Sequence, residues 1–238
     1  AGVSQIVAIG TDCEDWTANL EMACEHCGKI FYTVGLHPNH VDENWQFHVE
    51  NLPSFFDEEI KPVAVGEVGL DYFRLPKKGE KAIRGKAFQK AALREQLALA
   101  RSLGVPVVVH CRDAFVDCVA EIDASGISWT KVVFHCFSEG PNEMSMLIDR
   151  GGRASFTGII PFYGAENVRV AAKLQGIENL MIETDSPYLA PEPLRGNPNE
   201  PANLPHIGFF LSKLLDVEEA ALAATTTRNT QQFYGLPE

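Results

Sequence analysis

Four side chains of the kinds that bind divalent cations close four separate apolar runs. Residues 62–70 reach Glu67, residues 106–111 reach His110, residues 131–137 reach His135, and residues 180–184 lead to Asp185. Two imidazoles and two carboxylates suit Zn²⁺, Mn²⁺ or a similar ion and can leave a coordination position for water. A carboxylate between two ions can bridge them, and a water held there becomes a nucleophile near neutral pH. One histidine at a strand end is more often a hydrogen-bonded structural residue, and one glutamate after a strand often caps the next helix. Four such residues on four runs, set in the tight-turn contexts GEVGLD, VVVHCRDA and FHCF, point to a shared site instead.

Elements that could gather them are legible. Seven short, β-branched runs occupy residues 5–10, 30–37, 62–70, 106–111, 131–137, 152–158 and 180–184. They are near-continuous hydrophobics, the pattern of parallel strands buried on both faces. Helical windows lie between and after them. Residues 81–103, containing FQKAALREQLALARSL, are the clearest, with Gly104 where a C-terminal cap belongs. Residues 140–150, 168–174, 202–215 and 217–233 follow, with Pro201 at a plausible first turn. Seven β–α units predict a parallel sheet, closed or open, in a single domain over residues 1–238. In a parallel barrel every C-terminal strand end opens onto one face, so Glu67, His110, His135 and Asp185 converge there. The loop 190–205, APEPLRGNPNEPANLP, is too long for a minimal βα turn, and such loops are often functional.

Composition narrows the partners. The 238 residues carry 20 basic and 32 acidic side chains, a formal net charge of −12, and are 45% hydrophobic. These values exclude wholesale disorder. The acidic balance argues against a protein that coats duplex DNA through a broad basic face, but not against a nuclease gripping one strand end with a few arginines. No apolar run approaches the roughly 18 residues of a membrane helix, and no basic-then-apolar leader opens the chain. Six cysteines in this length fit a reducing compartment. The expectation is a soluble, cytoplasmic protein with no membrane contact.

The ordered set GLHP, GEVGLDY, VVVHCRDA, FHCF, SFTG, IETDSPYLAP and NEP resembles the TatD-type metal-dependent deoxyribonucleases of the amidohydrolase superfamily, over essentially the whole chain. The resemblance implies a TIM-type (β/α)₈ barrel and a cytoplasmic hydrolase. It further implies a Mg²⁺-, Mn²⁺- or Zn²⁺-dependent DNase with 3′→5′ exonuclease activity on single-stranded DNA ends, using one or two ions. By motif, Glu67 resembles the bridging metal ligand, and His110 and His135 the ligands of the second metal. Asp185 of ETDSP resembles a ligand of the first metal and the base for the attacking water. Arg112 of HCRD resembles a phosphate contact, His37 of GLHP a substrate-facing residue, and Arg195 with the Asn199–Glu200–Pro201 turn a rim loop suited to phosphate. The family pattern opens with a strand ending in His-x-His, then a helix. No His-x-His occurs here, and AGVSQIVAIGTD resembles the end of that first helix followed by strand two. Within these 238 residues the expected barrel therefore lacks its first strand and helix, and the first metal two ligands; either a preceding segment supplies them or the molecule does without them.

Other residues are read on their own chemistry. Cys24-x-x-Cys27 has no second pair of soft ligands, so the thiols read as small apolar residues at a helix end. Cys111 and Cys136 should point away from the ligand side and pack. Glu183 faces the same way as Asp185 and is either a ligand itself or, the favoured reading, a hydrogen-bond partner to one. Asp71 either orients a catalytic group or caps a turn. Lys77, Lys78, Lys81, Arg84 and Lys86 form the one basic cluster, either a solvated face or an attractor of phosphate. Phe73 and Tyr163 are candidates for stacking on bases or for packing. His26, His40, His48 and His206 have no recognisable partners. The functional expectation is a monomeric deoxyribonuclease; the alternatives are a small-molecule amidohydrolase or esterase on the same metal, or a catalytically impaired relative.

Overall fold

Runs such as VVVH and AVGEVG expose nothing polar along most of their length, so they are stable only side by side and covered on both faces. The computed structural model describes residues 2–237 and realises this pattern: among them, seven strands alternate with helices, and the strand pairs are parallel. The chain divides into two compact units, residues 5–132 and residues 133–237 with 2–4.

The first unit holds β1 (Ile6–Ala8), α1 (Cys13–Glu25), β2 (Ile30–Val34), α2 (Trp45–Val49), α3 (Leu52–Phe55), β3 (Ala64–Asp71), α4 (Glu80–Leu103), β4 (Val107–Arg112) and α5 (Phe115–Ser125). The strands pair in the order β1-β2-β3-β4. All eight residues of β3 are buried. α4 turns a stripe of Ala82, Gln89, Ala92, Leu93, Gln96, Leu97 and Ala100 inward, the 3–4 spacing of one helix face, and stops at Gly104 in the left-handed region. Its flank pairs with α5. Lys90 Nζ lies 2.9 Å from Asp117 Oδ2, and Arg94 makes a two-point contact with Glu121 at 2.6 and 2.8 Å.

The second unit holds β5 (Val132–Phe134), α6 (Pro141–Arg150), β6 (Arg153–Phe156), α7 (Glu166–Gln175), β7 (Met181–Ile182), α8 (Leu204–Leu215) and α9 (Glu219–Tyr234), with pairing order β5-β6-β7. Gln175 of α7 accepts from Ala154 N at 2.7 Å and donates to Ala154 O at 2.9 Å, fixing β6 against the helix.

Each of the seven runs read from the sequence contains or overlaps one strand, and each of the five helical windows overlaps a helix. Helices α2, α3 and α5 escaped that reading, and of α1 only its end, around Cys24 and Cys27, was legible. In α1 the buried set is only Trp16, Asn19 and Ala23, a narrow stripe in a largely polar segment. Among the described residues no helix is long and apolar enough to cross a membrane.

Two expectations follow. Gly69 sits at φ +147°, and a Cβ there would lie 1.9 Å from His110 O. Gly69→Ala should therefore cost at least about 2 kcal/mol in denaturant unfolding, through strain and a wedge between β3 and β4. Asp117 accepts from Tyr72 OH at 2.7 Å and pairs with Lys90, and these contacts hold its carboxyl below the usual value. A depressed pKa stabilises the fold above the unfolded value and loses that contribution as pH falls through the folded one. Asp117→Asn should therefore flatten the acid limb of the stability curve below about pH 4.

Candidate metal centre

The glutamate that the sequence singles out lies on an irregular part of β3. Between the pairs Val65↔Val107 and Val68↔Val109 the register shifts, and Gly66–Glu67 occupy the irregularity. Such bulges re-aim a side chain that regular alternation would send elsewhere. Gly66 is obligatory there, because a Cβ would stand 2.5 Å from Val108 Cβ. Thr33 Oγ1 donates to Gly66 O, and Glu67 N donates to Gly10 O at 2.8 Å, so the bulge is tied to the chain ends of β1 and β2.

Two imidazoles meet at Glu67. His110 Nδ1 lies 2.8 Å from Glu67 Oε1, and His37 Nε2 lies 3.2 Å from the same oxygen. The two rings touch edge to face, centroids 4.4 Å apart. One ligand-type atom from each of His37, Glu67 and His110 falls within 4.8 Å of the others. His110 Nε2 faces Asp71 Oδ2 at 3.3 Å. Asp71 is 1% exposed, and its Oδ1 accepts from Arg74 N at 3.1 Å. Burial works to raise the Asp71 pKa, but the hydrogen bonds from His110 and the Arg74 amide outweigh it and hold the carboxyl at about 2. Asp71 thus fills both roles that its sequence position allowed: it caps the turn and orients an imidazole.

Hydrogen-bond arithmetic tests whether this set fits a cation. A neutral imidazole has one N–H, and His110 faces a carboxylate on each nitrogen. If Asp71 receives the Nε2 proton, Nδ1 presents a lone pair to a glutamate oxygen, and such a pair of acceptors needs a proton or a cation between them. A carboxylate on the far nitrogen of a metal-binding histidine is a recurrent arrangement that fixes the ring and raises its basicity. Glu67 and His110 therefore suit a divalent ion. His37 differs. Its Nδ1 accepts from Asn39 N at 3.0 Å, so the neutral ring carries its proton on Nε2 and donates it to Glu67. His37 is a donor that steadies Glu67, and at 8% exposure it is not presented at a surface.

The backbone carrying these groups is clamped by two buried glutamines of α4, seven residues apart on one stripe. Gln96 Oε1 accepts from Leu36 N at 2.7 Å and its Nε2 donates to Leu36 O at 3.3 Å. Gln89 Oε1 accepts from Asp71 N at 3.0 Å, while Nε2 donates to Asp71 O at 3.2 Å and Pro38 O at 3.1 Å. His37 is thus pinned on both sides, and Asp71 at its own peptide groups.

In the second unit His135 has its own carboxylate. His135 Nδ1 lies 3.6 Å from Glu183 Oε2, and Glu183 Oε1 accepts from Cys136 N at 2.7 Å and from Ser155 Oγ. Burial acts to raise the Glu183 pKa, yet these partners bring it below the ordinary value. Cys136 adopts φ +45°, and burial pushes its thiol up to about 12, an inert packing residue. Asp185 sits at φ +56° in a loop held by Asn199, whose Nδ2 donates to Thr184 O and Tyr188 O, each at 2.7 Å. Asn199 is 5% exposed, so this part of the NEP turn clamps the Asp185 loop. Arg195 is exposed, 4.3 Å over the Phe162 ring and 3.9 Å from Glu192. Arg112, in register with Asp71, lies 3.8 Å over Phe73. Cys24 and Cys27 are exposed free thiols. His40, without a partner in the sequence reading, has its Nδ1 3.1 Å from Asp12 Oδ2, the carboxylate that caps α1.

The sequence reading missed the closeness of His37 to Glu67, although residues 30–37 end in a histidine just as residues 106–111 approach one. The two clamping glutamines left no local signal, since Gln is an ordinary residue of an exposed helix face.

Asp71→Asn keeps the side-chain shape and the turn but removes the charge from His110 Nε2. Mn²⁺ or Zn²⁺ affinity by titration calorimetry should fall about 10–100-fold with an unchanged circular dichroism spectrum. Unaltered affinity would deny Asp71 its orienting role.

Comparisons with known proteins agree with this chemistry. A family model described as "TatD related DNase" matches residues 1–235. An uncharacterised metal-dependent hydrolase, YcfH of Escherichia coli K12, is 35% identical over 208 residues, covering 87% of this chain and 75% of its own. A protein of Erwinia amylovora named "3'-5' ssDNA/RNA exonuclease TatD" is 31% identical over 241 residues, 99% of this chain and 90% of its own. Among solved structures, the TatD homologue YJJV of Escherichia coli K12 superposes with a TM-score of 0.87 at 24% identity, covering 99% of this chain and 88% of that one. That likeness shows the fold, an α/β fold of the TIM-barrel class. The chain belongs to the TatD-related DNase family of metal-dependent hydrolases.

Proposed function

We propose that this metal-dependent hydrolase is a deoxyribonuclease that removes nucleotides from the 3′ ends of single-stranded DNA. The observation that carries the reading is the Glu67–His110–Asp71 arrangement, in which a carboxylate oxygen lies 2.8 Å from the imidazole Nδ1 and a second carboxylate lies behind the ring at Nε2. The nucleic-acid substrate is supported by the family's description and by the name of the Erwinia relative. In this reading residues 1–238 act as one catalytic domain, a cytoplasmic monomer.

Glu67, His110, His135 and Asp185 are the proposed ligands for one or two ions, Mg²⁺, Mn²⁺ or Zn²⁺. A bound divalent ion supplies a Lewis acid for the phosphoryl oxygen and a water made nucleophilic near neutral pH. The chain's own groups do the rest. Asp71 and Glu183 hold the two imidazoles in orientation and tautomer. His37 donates to Glu67 and keeps that carboxylate from swinging. Asp185 accepts the proton of the attacking water, its loop held by Asn199. Arg112 and Arg195 counter the charge that builds on the phosphate.

Incubation of the purified protein with a 5′-labelled single strand should give a ladder shortening from the 3′ end. Chelation should abolish it, and add-back of Mg²⁺ or Mn²⁺ should restore it. His110→Ala and Glu67→Gln should each lower the rate at least about 100-fold with the fold retained by circular dichroism. Undiminished digestion by His110→Ala would refute the site, and cleavage of a small ester or amide with DNA left intact would replace the substrate.

A further inference from the structure

Beyond Asp71 the chain leaves β3 in the loop 72–79, YFRLPKKG, which carries Arg74, Lys77 and Lys78 and no acidic residue. In a chain of net charge −12 this is a local concentration of positive charge. Tyr72 is anchored: it is 8% exposed, its hydroxyl donates to Asp117, and Lys86 Nζ lies 4.0 Å over its ring. The next residue, Phe73, is 50% exposed. Its ring has the Arg112 guanidinium at 3.8 Å and Lys77 Nζ at 5.1 Å from its centroid. Arg112 is two residues beyond His110 on β4, about 7 Å along the strand, and pairs in register with Asp71. An exposed aromatic ring carrying two cations therefore adjoins Glu67 and His110 within the reach of one extended nucleotide.

These are the components of single-strand recognition. Aromatic faces stack on any unpaired base, and cations beside them meet the backbone. A guanidinium lying flat on a ring keeps its edge N–H groups for a phosphate. Lys77 is also 3.7 Å from Asp113, but both side chains are more than half exposed, at 67% and 57%, so the pair is weak and leaves ammonium protons for another anion. A base-paired strand cannot offer its ring faces, so such a site selects single strands without selecting sequence.

We propose that Phe73, Arg112 and Lys77 form a subsite for one nucleotide of a single strand. The base stacks on the exposed part of the Phe73 ring, and the adjoining phosphates meet the edge of Arg112 and the ammonium of Lys77. The inference rests on the nuclease reading above and adds to it the groups that make single-stranded nucleic acid the preferred form.

The test is fluorescence anisotropy with metal-free protein and two labelled oligomers of equal length, one of dT and one of abasic sugar-phosphate. Phe73→Ala should weaken dT binding about 5- to 150-fold and leave abasic binding nearly unchanged, and Phe73→Tyr should restore dT binding. Arg112→Gln should weaken both and reduce the salt-dependence slope by about 1. Equal affinities of wild type and Phe73→Ala for dT, or an equal loss on both oligomers, overturns the subsite; metal-dependent DNA digestion that persists would then leave the nuclease reading standing. Wild-type protein that binds neither oligomer overturns the subsite too, and if it also digests no DNA the nuclease reading falls with it.

Discussion

Parallel strands that stop while still buried leave peptide groups with no ladder partner, and a buried orphan of that kind is costly. This protein meets the constraint with side-chain amides on neighbouring elements. Gln96 takes both peptide groups of Leu36; Gln89 takes both of Asp71 and the carbonyl of Pro38. Gln175 does the same for Ala154, and Asn229 donates to Ile177 O and Leu180 O ahead of β7. An amide is suited to the task because it offers a donor and an acceptor in one plane, the complement of a peptide unit. His37 lies between two of these clamped residues, and Asp71 is itself one of them. The bonds that satisfy the strand ends therefore also position His37 and Asp71.

The electrostatics follow the same economy in each unit. An imidazole on or just past a strand is backed by a carboxylate that itself accepts further hydrogen bonds: Asp71 from Arg74 N and the Asn39 side chain, Glu183 from Cys136 N and Ser155 Oγ. These bonds lower the pKa of both carboxyls despite burial, so they stay ionised as acceptors. A histidine held this way has one nitrogen committed and the other shaped into a ligand. His37 illustrates the opposite setting. A backbone N–H on its Nδ1 turns the ring into a donor, so its role beside Glu67 differs from that of His110 although both rings touch the same carboxylate oxygen.

Backbone geometry concentrates its exceptions near these residues. Gly66 and Gly69 flank Glu67's stretch of β3, one pressed against Val108 and the other against His110 O, so no larger residue fits. Cys136 and Asp185 adopt left-handed conformations next to His135 and within the ETDSP loop. Non-glycine residues in that region persist where the surroundings over-determine them, and Asn199 supplies two of the bonds that do so around Asp185.

Local information in the chain was enough for the class of fold and for singling out Glu67 and His110, which the structure brings together. Continuous β-branched runs bounded by turn signals read as doubly covered strands, a long Ala/Leu/Arg/Gln window ending at Gly104 reads as a helix with a glycine cap, and Glu67 and His110 stand out as polar residues within apolar runs, although β3 continues to Asp71 and β4 to Arg112. Helix α1 was harder to see because a helix buried on a narrow stripe differs little from a polar loop in composition. Which nitrogen of each histidine is committed, that His110 is the group Asp71 orients, and that Gln89 and Gln96 hold the His37 turn were beyond the sequence. Each depends on the register of Gly69 with His110, on the bulge at Gly66–Glu67 and on which face α4 turns inward. Those are outcomes of packing between segments far apart in the chain, and hydrogen bonds across such distances leave no periodicity for a one-dimensional pattern to carry.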